Sequence, residues 1–352
     1  MTPKLPYLTH ALPGIGGEIR QRLEDFFVEE QPLYRPSGEG EHIYLMVEKR
    51  GIGTPEMVDI VAAHFGVRRS SVGTAGMKDA QAVTRQVVSV HAPGKSPESF
   101  PMLHHPSVSV LWADLHTNKL RTGHLLGNRF SIRIRGVTMT DAPAALRVLR
   151  EIEKRGLPNL FGPQRFGAKF DNHEVGRELL LGTLRRRMPT QKRRLMLNAL
   201  QSAIFNEVLS ERMHAGTMDV ILLGDVAFKH ENGSVFAVDE AVAASDETKA
   251  RLAEFEISPS GPMWGARMMR ASGAVDEMEL AALSKFRLTL EDFARSKQAG
   301  LVPGVRRPLR VAVTDTDIEG GIDDHGPYVR IAFDLPAGAY ATTVLREIMK
   351  ND

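Results

Sequence analysis

Residues 73–86 read GTAGMKDAQAVTRQ: a run of small residues, Gly73, Thr74, Ala75 and Gly76, then an adjacent pair, Lys78 and Asp79. Glycine permits positive φ and lets a large ligand come close, so the run predicts a turn that presents the pair. A carboxylate presented there, with no Ser, Cys or His beside it, points to an aspartate working as nucleophile or base. Composition alone equally allows a solvated surface turn, because exposed Lys and Asp need no partner. The rest of the chain decides between the two.

At 352 residues the chain is long for one domain and predicts two. Its 42% hydrophobic and 25% charged residues are those of an ordinary globular protein. No run approaches the roughly 20 apolar residues that span a bilayer. The N-terminal MTPKLPYLTHALPGIGG lacks the continuous apolar core of a secretory signal. Cysteine is absent, which excludes disulfides, thiolate metal sites and cysteine nucleophiles. A cytoplasmic protein is expected. Net charge is only +2, yet Arg185, Arg186, Arg187, Lys192, Arg193 and Arg194 fall close together, while acid gathers from Asp315 to Asp324. Such basic density is a candidate phosphate contact, although a solvated face explains it as well.

Around the opening stretch the pattern is mixed. Thr54 to Gly66 predicts a helix capped by Thr54, with Pro55 in its first turn, Gly66 at its exit, and Met57, Ile60, Val61 and Phe65 as its buried stripe. Strand-like runs follow at 86–91, 107–112 and 130–135. In the last, alternation puts Phe130, Ile132 and Ile134 on one face and Arg129, Arg133 and Arg135 on the other, with Asn128 sharing the parity of Phe130. A helix is predicted over 141–154. From about Gly156 to Gly304 the chain reads as mainly helical, with Leu197, Leu200, Ile204 and Leu209 as the buried stripe of one long helix. Strand patterns return at 308–314 and 328–333, and a helix over 340–350 follows. This order predicts a helical domain inserted into a catalytic one.

Three other motifs lead elsewhere. Asp315-Thr-Asp317-Ile-Glu319-Gly320 resembles the start of a calcium loop, but its twelfth position is Gly326 rather than Glu. The same segment resembles an aspartate-based phosphatase nucleophile, yet too little chain follows it. A turn between two strands is expected there instead. His91, His104 and His105 lack the spacing of a metal site and are expected to be solvated or capping residues, so no metal is expected. No Walker-type or dinucleotide glycine pattern occurs, so no nucleotide cofactor is expected.

The string 73–86 resembles the central motif of the TruD family of transfer-RNA pseudouridine synthases, through Ala75, Gly76, Lys78, Asp79, Ala82, Val83, Thr84 and Gln86. Further segments resemble the family in the same order. They are Glu24-Asp25-Phe26 with Val28-Glu29, Gly127-Asn128-Arg129-Phe130, Gly156 to Gly167 (GLPNLFGPQRFG), Gly261 to Gly265, and Leu335 to Glu347. Together they span nearly the whole chain.

The resemblance implies an α+β fold, with a mixed, largely antiparallel sheet and flanking helices, split by a mainly helical insertion. The catalytic domain would comprise 1–155 and 305–352, and the inserted domain 156–304. It implies conversion of uridine to pseudouridine in transfer RNA, expected at position 13, with Asp79 as nucleophile and the base flipped from its stack. No cofactor and no membrane are implied, and a monomer is expected. Two rival readings are a catalytically inactive RNA-binding protein of the same fold and the phosphatase. Phe26, Asn128 and Tyr340 match substrate-binding positions, and Phe130 would lie against the base. Tyr340 stands where the family pattern has Phe, and its ring could instead pack the final helix through Val344 and Ile348. Arg20 stands where Lys is the usual form, and it is expected to hold Asp79 ionised. Lys78 is the other basic candidate, with a side chain expected to point away from Asp79.

Overall fold

A computed structural model describes residues 5–351. The chain forms two compact units, each assembled from separated stretches. The first comprises Pro13–Leu149, Val313–Gly338 and residues 348–351. The second comprises residues 5–12, Arg150–Ala312 and Ala339–Glu347.

The first unit is built on an eight-stranded sheet. Six strands come from its long N-terminal stretch: β1 (Phe26–Pro32), β2 (His42–Arg50), β3 (Val72–Thr74), β4 (Val83–His91), β5 (Val108–His116) and β6 (Leu125–Arg135). The other two are Thr314–Asp323 and Gly326–Pro336. Across the sheet the order is Thr314–Asp323, Gly326–Pro336, β6, β1, β4, β2, β5, with β3 also paired to β4. Only β1 and β4 pair in parallel; the other pairings are antiparallel. Helix α1 (Thr54–His64) buries Met57, Val58 and Val61 against Ile43, Leu45, Val47, Val88 and Val90 of β2 and β4. These strand residues are two apart, so period two delivers one continuous apolar row to the helix.

The expected alternation along β6 holds, since Phe130, Ile132 and Ile134 are all buried. Its opposite face carries more than solvated arginines, because Arg135 is itself buried. Arg135 forks onto Asp25 at 2.7 and 2.8 Å and onto Asp323 at 2.9 Å through two nitrogens. It thereby ties the residue before β1 to the end of the Thr314–Asp323 strand. Hydrogen bonding to Arg135 holds the Asp323 carboxyl well below the usual carboxylate range.

A turn at Asp315–Asp317 is not what forms. Thr314–Asp323 is one strand whose register against its neighbour shifts between Thr314 and Asp317, and the bulge puts Asp315 at φ 48°. Cross-strand pairing explains why so acidic a segment extends: Arg330 meets Asp317 at 2.5 Å and Glu319 at 2.8 Å.

In the second unit the long helix spans Thr190–His214 and buries Leu197, Leu200, Ile204 and Leu209. Helices Asn172–Leu181, Gly273–Lys285 and Leu290–Arg295 are built around it, with Leu179, Leu180, Trp264, Leu283 and Phe293 in the shared core. This unit also holds a four-stranded sheet that sequence patterning does not reveal, ordered Val305–Pro308, Ile257–Met263, Val226–Lys229, Val235–Ala237. Its Ile257–Met263 strand contains Pro259 and Pro262, residues that argue against a paired strand.

Three histidines on adjacent strands of the first unit are direct register neighbours, His91 on β4, His42 on β2 and His116 on β5. The His42 and His91 rings lie 4.7 Å apart, and His116 packs on Tyr34 and Tyr44. Burial lowers the pKa of His42, with His91 and Lys119 adding repulsion against a weaker pull from Glu41, and burial lowers that of His116. A histidine with a lowered folded pKa takes its proton more readily in the unfolded chain. Its stabilising effect is therefore complete above the unfolded pKa of about 6.5 and is lost as pH falls below it. Thermal stability should decline between about pH 7 and 5, and His116→Gln should flatten that slope; identical slopes in both proteins would contradict this origin.

Candidate active site

Strand β1 runs through the middle of the sheet, and Phe26, Val28 and Glu30 share one of its faces. Register extends that face in both directions. Val28 is opposite Thr84 of β4 and Phe130 of β6, Glu30 is opposite Asn128, and Lys49 of β2 is opposite Thr84. Beyond β6, Phe333 stands opposite Phe130 and Leu335 opposite Asn128. Close approach matters here, since a side chain at Gly127 would collide with the carbonyl of Leu335.

The loop from β3 to β4 crosses this region. Lys78 reaches inward to Glu30 at 2.7 Å, with side chains 8% and 0% exposed. Asp79 faces outward at 45% exposed. Thr54, at the start of α1, does not cap its helix. Its hydroxyl accepts from the Lys78 N–H at 2.9 Å and lies 3.2 Å from Gln86 Oε1 as donor. On the other side of the loop, Lys49 Nζ donates to the carbonyls of Asp79 and Ile52, each at 2.7 Å. The main chain is thus pinned on both flanks of the Asp79 side chain. The glycines work differently from the expectation, because neither Gly73 nor Gly76 has positive φ. Gly73 is required by contact, as a Cβ there would meet Leu120 O and Ser89 Oγ.

The Asp79 carboxylate accepts from Arg20 Nη2 at 2.5 Å through Oδ2. Arg20 holds a left-handed backbone, φ 61°, which is uncommon for a side chain of its size. Its guanidinium lies over the Phe26 ring at 4.4 Å, the geometry of a cation–π contact. Phe26 meets Phe130 edge-on at 6.5 Å, and Phe130 stacks with Phe333 at 5.4 Å. Carboxylate, guanidinium and aromatic rings therefore follow one another without a break. Asn128 Oδ1 is buried with no protein hydrogen-bond partner among the described residues. A buried acceptor left unpaired is costly, so this atom is a candidate for a ligand's donor.

Arg20, Phe26, Lys78, Asp79, Asn128 and Phe130 all belong to the first unit. Tyr340 belongs to the second, one residue before helix Ala341–Met349, with its ring 6.3 Å from that of Phe161. Val344 and Ile348 of that helix are fully buried.

Sequence reasoning passed over Lys49. Its signal was parity: Ile43, Leu45, Val47 and Lys49 alternate along β2, and the first three are core residues. Burial pushes the Lys49 ammonium down to about 8, against an opposing pull from Asp79.

The family model described as tRNA pseudouridine synthase D (TruD) matches residues 4–187 and 184–348. A tRNA pseudouridine synthase D of Geobacter sp. (strain M21) is 39% identical over 98% of this chain and 99% of that protein. One from Thermus thermophilus is 40% identical over 99% of this chain and 92% of its own length. The fold is shared with the crystal structure of the putative tRNA pseudouridine synthase D from Methanosarcina mazei, at a TM-score of 0.84 and 24% identity, covering 99% of this chain and 96% of that one. The fold is that of a pseudouridine synthase. The chain belongs to the tRNA pseudouridine synthase D family.

Replacing Lys49 by Met leaves two carbonyls without their donor. Stability should fall by about 2–4 kcal/mol, roughly the cost of two unsatisfied buried acceptors. At a temperature where the variant is folded, kcat should drop about tenfold or more with KM for transfer RNA little changed. Unchanged kcat in the folded variant would remove Lys49 from the site.

Proposed function

We propose that this chain converts a uridine of transfer RNA, at position 13, to pseudouridine, with Asp79 as the nucleophile. The observation that carries the reading is the Asp79–Arg20 pair. One carboxylate oxygen is engaged by a guanidinium backed on Phe26, and Oδ1 accepts no hydrogen bond among the described residues. A carboxylate held in that way is oriented through one oxygen and presents the other to the ribose. The bond from C1′ to uracil N1 breaks, the base turns, and C5 joins C1′. The C5 proton then leaves and N1 ends protonated. Electrons are conserved, so the isomerisation calls for no oxidant or reductant. Asp79 either adds to C1′ or removes the C2′ proton to give a glycal.

A target inside folded RNA must leave its stack, and aromatic surfaces hold such a base. Phe130 supplies a ring, Phe26 braces Arg20, and Asn128 Oδ1 accepts from uracil N3–H. Lys78 is committed to Glu30 and serves the loop. Residues 156–304 act as an inserted RNA-gripping domain. Of its basic cluster, Arg185, Arg186, Arg187, Lys192 and Arg194 are exposed. Two of the six, Lys192 and Arg193, lie in the first turn of helix Thr190–His214, which carries no acid there. Cations at a helix N-terminus oppose its dipole, and an RNA phosphate relieves the conflict. Among the described residues no helix is long and apolar enough to cross a membrane. We place the protein in the cytoplasm, acting as a monomer.

Asp79→Asn should lose about a thousandfold or more in tritium release from 5-tritiated uridine in transfer RNA while still binding it. Retained turnover would end the reading, and binding without turnover in the wild type would favour the inactive RNA-binding alternative. Charge reversal at Arg185, Arg186 and Arg187 should raise KM several-fold and reduce the salt dependence of binding. Unchanged affinity and slope would dismiss that cluster as an RNA contact.

A further inference from the structure

We propose that Arg165 and Arg307, both set over the Phe161 ring beside Tyr340, form a binding site for an RNA backbone phosphate. The proposal rests on the reading of this chain as a transfer-RNA enzyme, and it lies wholly within the second unit.

The site is built from the inside outward. Asn206, 5% exposed, fixes the Phe161 main chain by accepting from its N–H at 2.9 Å and donating to its carbonyl at 2.8 Å. The Phe161 ring packs edge-on against buried Phe205 at 5.7 Å. The short helix Pro163–Phe166 then delivers Arg165, whose guanidinium carbon is 5.1 Å from the Phe161 centroid. Ser202, fully buried on the long helix, accepts from Arg165 Nε at 3.0 Å. From the sheet strand Val305–Pro308, Arg307 comes within 4.2 Å of the same centroid and donates to the side-chain oxygen of Asn159. Ring stacking and these bonds orient both forks before any ligand arrives.

Arg165 has no carboxylate to answer its charge among the described residues. Elsewhere in the unit, buried Arg212 meets Asp225 at 2.9 Å and buried Arg306 meets Glu279 at 2.7 Å, while buried Arg310 donates to the main-chain carbonyls of Arg155 and Leu252. Arg165 joins no ion pair among the described residues, and its guanidinium meets the neutral Ser202 hydroxyl. Burial pushes Arg307 down to about 10, against an opposing pull from Tyr340, and the like charge of Arg165 adds a smaller push the same way as burial. A bound anion reverses that penalty. Gly162, between ring and arginine, approaches Thr342 in the first turn of helix Ala341–Met349, a turn without acidic residues. Two forked guanidiniums match the oxygens of a phosphodiester. The neighbouring Tyr340 would take a base of the same strand, as aromatic rings beside basic grooves do.

The test compares wild type, Arg165→Gln and Asp79→Asn in equilibrium binding of transfer RNA across a salt series, together with steady-state tritium release. Circular dichroism checks that each variant is folded, and Arg165→Lys serves if the glutamine variant is not. In Arg165→Gln the Kd should rise about five- to twentyfold, and the slope of log Kd against log salt should fall by about one. KM should rise in step with Kd, while kcat at saturating RNA stays within about threefold. Wild-type Kd and slope in Arg165→Gln, with wild-type protein isomerising transfer RNA normally, would overturn the site alone. Failure of wild type to bind or isomerise transfer RNA would overturn the functional reading and this site with it.

Discussion

Neighbouring residues in an extended loop face opposite ways, so only one of Lys78 and Asp79 can point into the protein. Glu30, fully buried on the central strand, decides which. It draws Lys78 inward because a buried carboxylate without a partner is far more costly than one that is paired. Asp79 is thereby turned outward to Arg20. The other fixings of the loop follow from that choice. Lys49 and Thr54 reach the main chain on either flank, and Gly73 makes the room the loop needs at its start.

Local features of the fold were legible in the sequence. The stripe of α1, the alternation of Phe130, Ile132 and Ile134, and the buried row of the long helix all follow from short-range periodicity. What periodicity does not carry is long-range pairing. Parallel contact of β1 with β4 depends on where the chain returns, and the strand Ile257–Met263 carries two prolines that local propensity reads as breaks. Asp317 looks like a turn residue until Arg330 appears on the neighbouring strand. For the site, the sequence named Arg20, Phe26, Lys78, Asp79, Asn128 and Phe130, and the sheet brings these together. Lys49 escaped because a lysine near the end of a strand normally reads as a solvent-facing residue. Its parity with Ile43, Leu45 and Val47 gives the inward face, and its register opposite buried Thr84 places it beside β4.

Arginine serves opposite purposes in this chain. Arg135, Arg212 and Arg306 are buried against carboxylates and hold separated segments together. Arg20 and Arg165 lie over aromatic rings and neither is sealed from solvent, with Arg20 turning an edge donor to the Asp79 carboxylate. Stacking orients a guanidinium through its flat face while leaving the edge donors available, so the same residue type can either close a core or wait for an anion.

The place of β6 in the sheet has a consequence for biosynthesis. One of its edges is covered by Gly326–Pro336, a strand far downstream in the chain. On a ribosome, β6 emerges together with β1 to β5, but its second partner does not exist until Pro336 has been made. Throughout that interval a strand carrying Phe130, Ile132 and Ile134 presents an unpaired edge, the feature that invites pairing with a neighbouring chain. The whole second-unit stretch Arg150–Ala312 is translated during the same wait. Closure of the sheet on that side therefore waits until nearly the whole chain has been made.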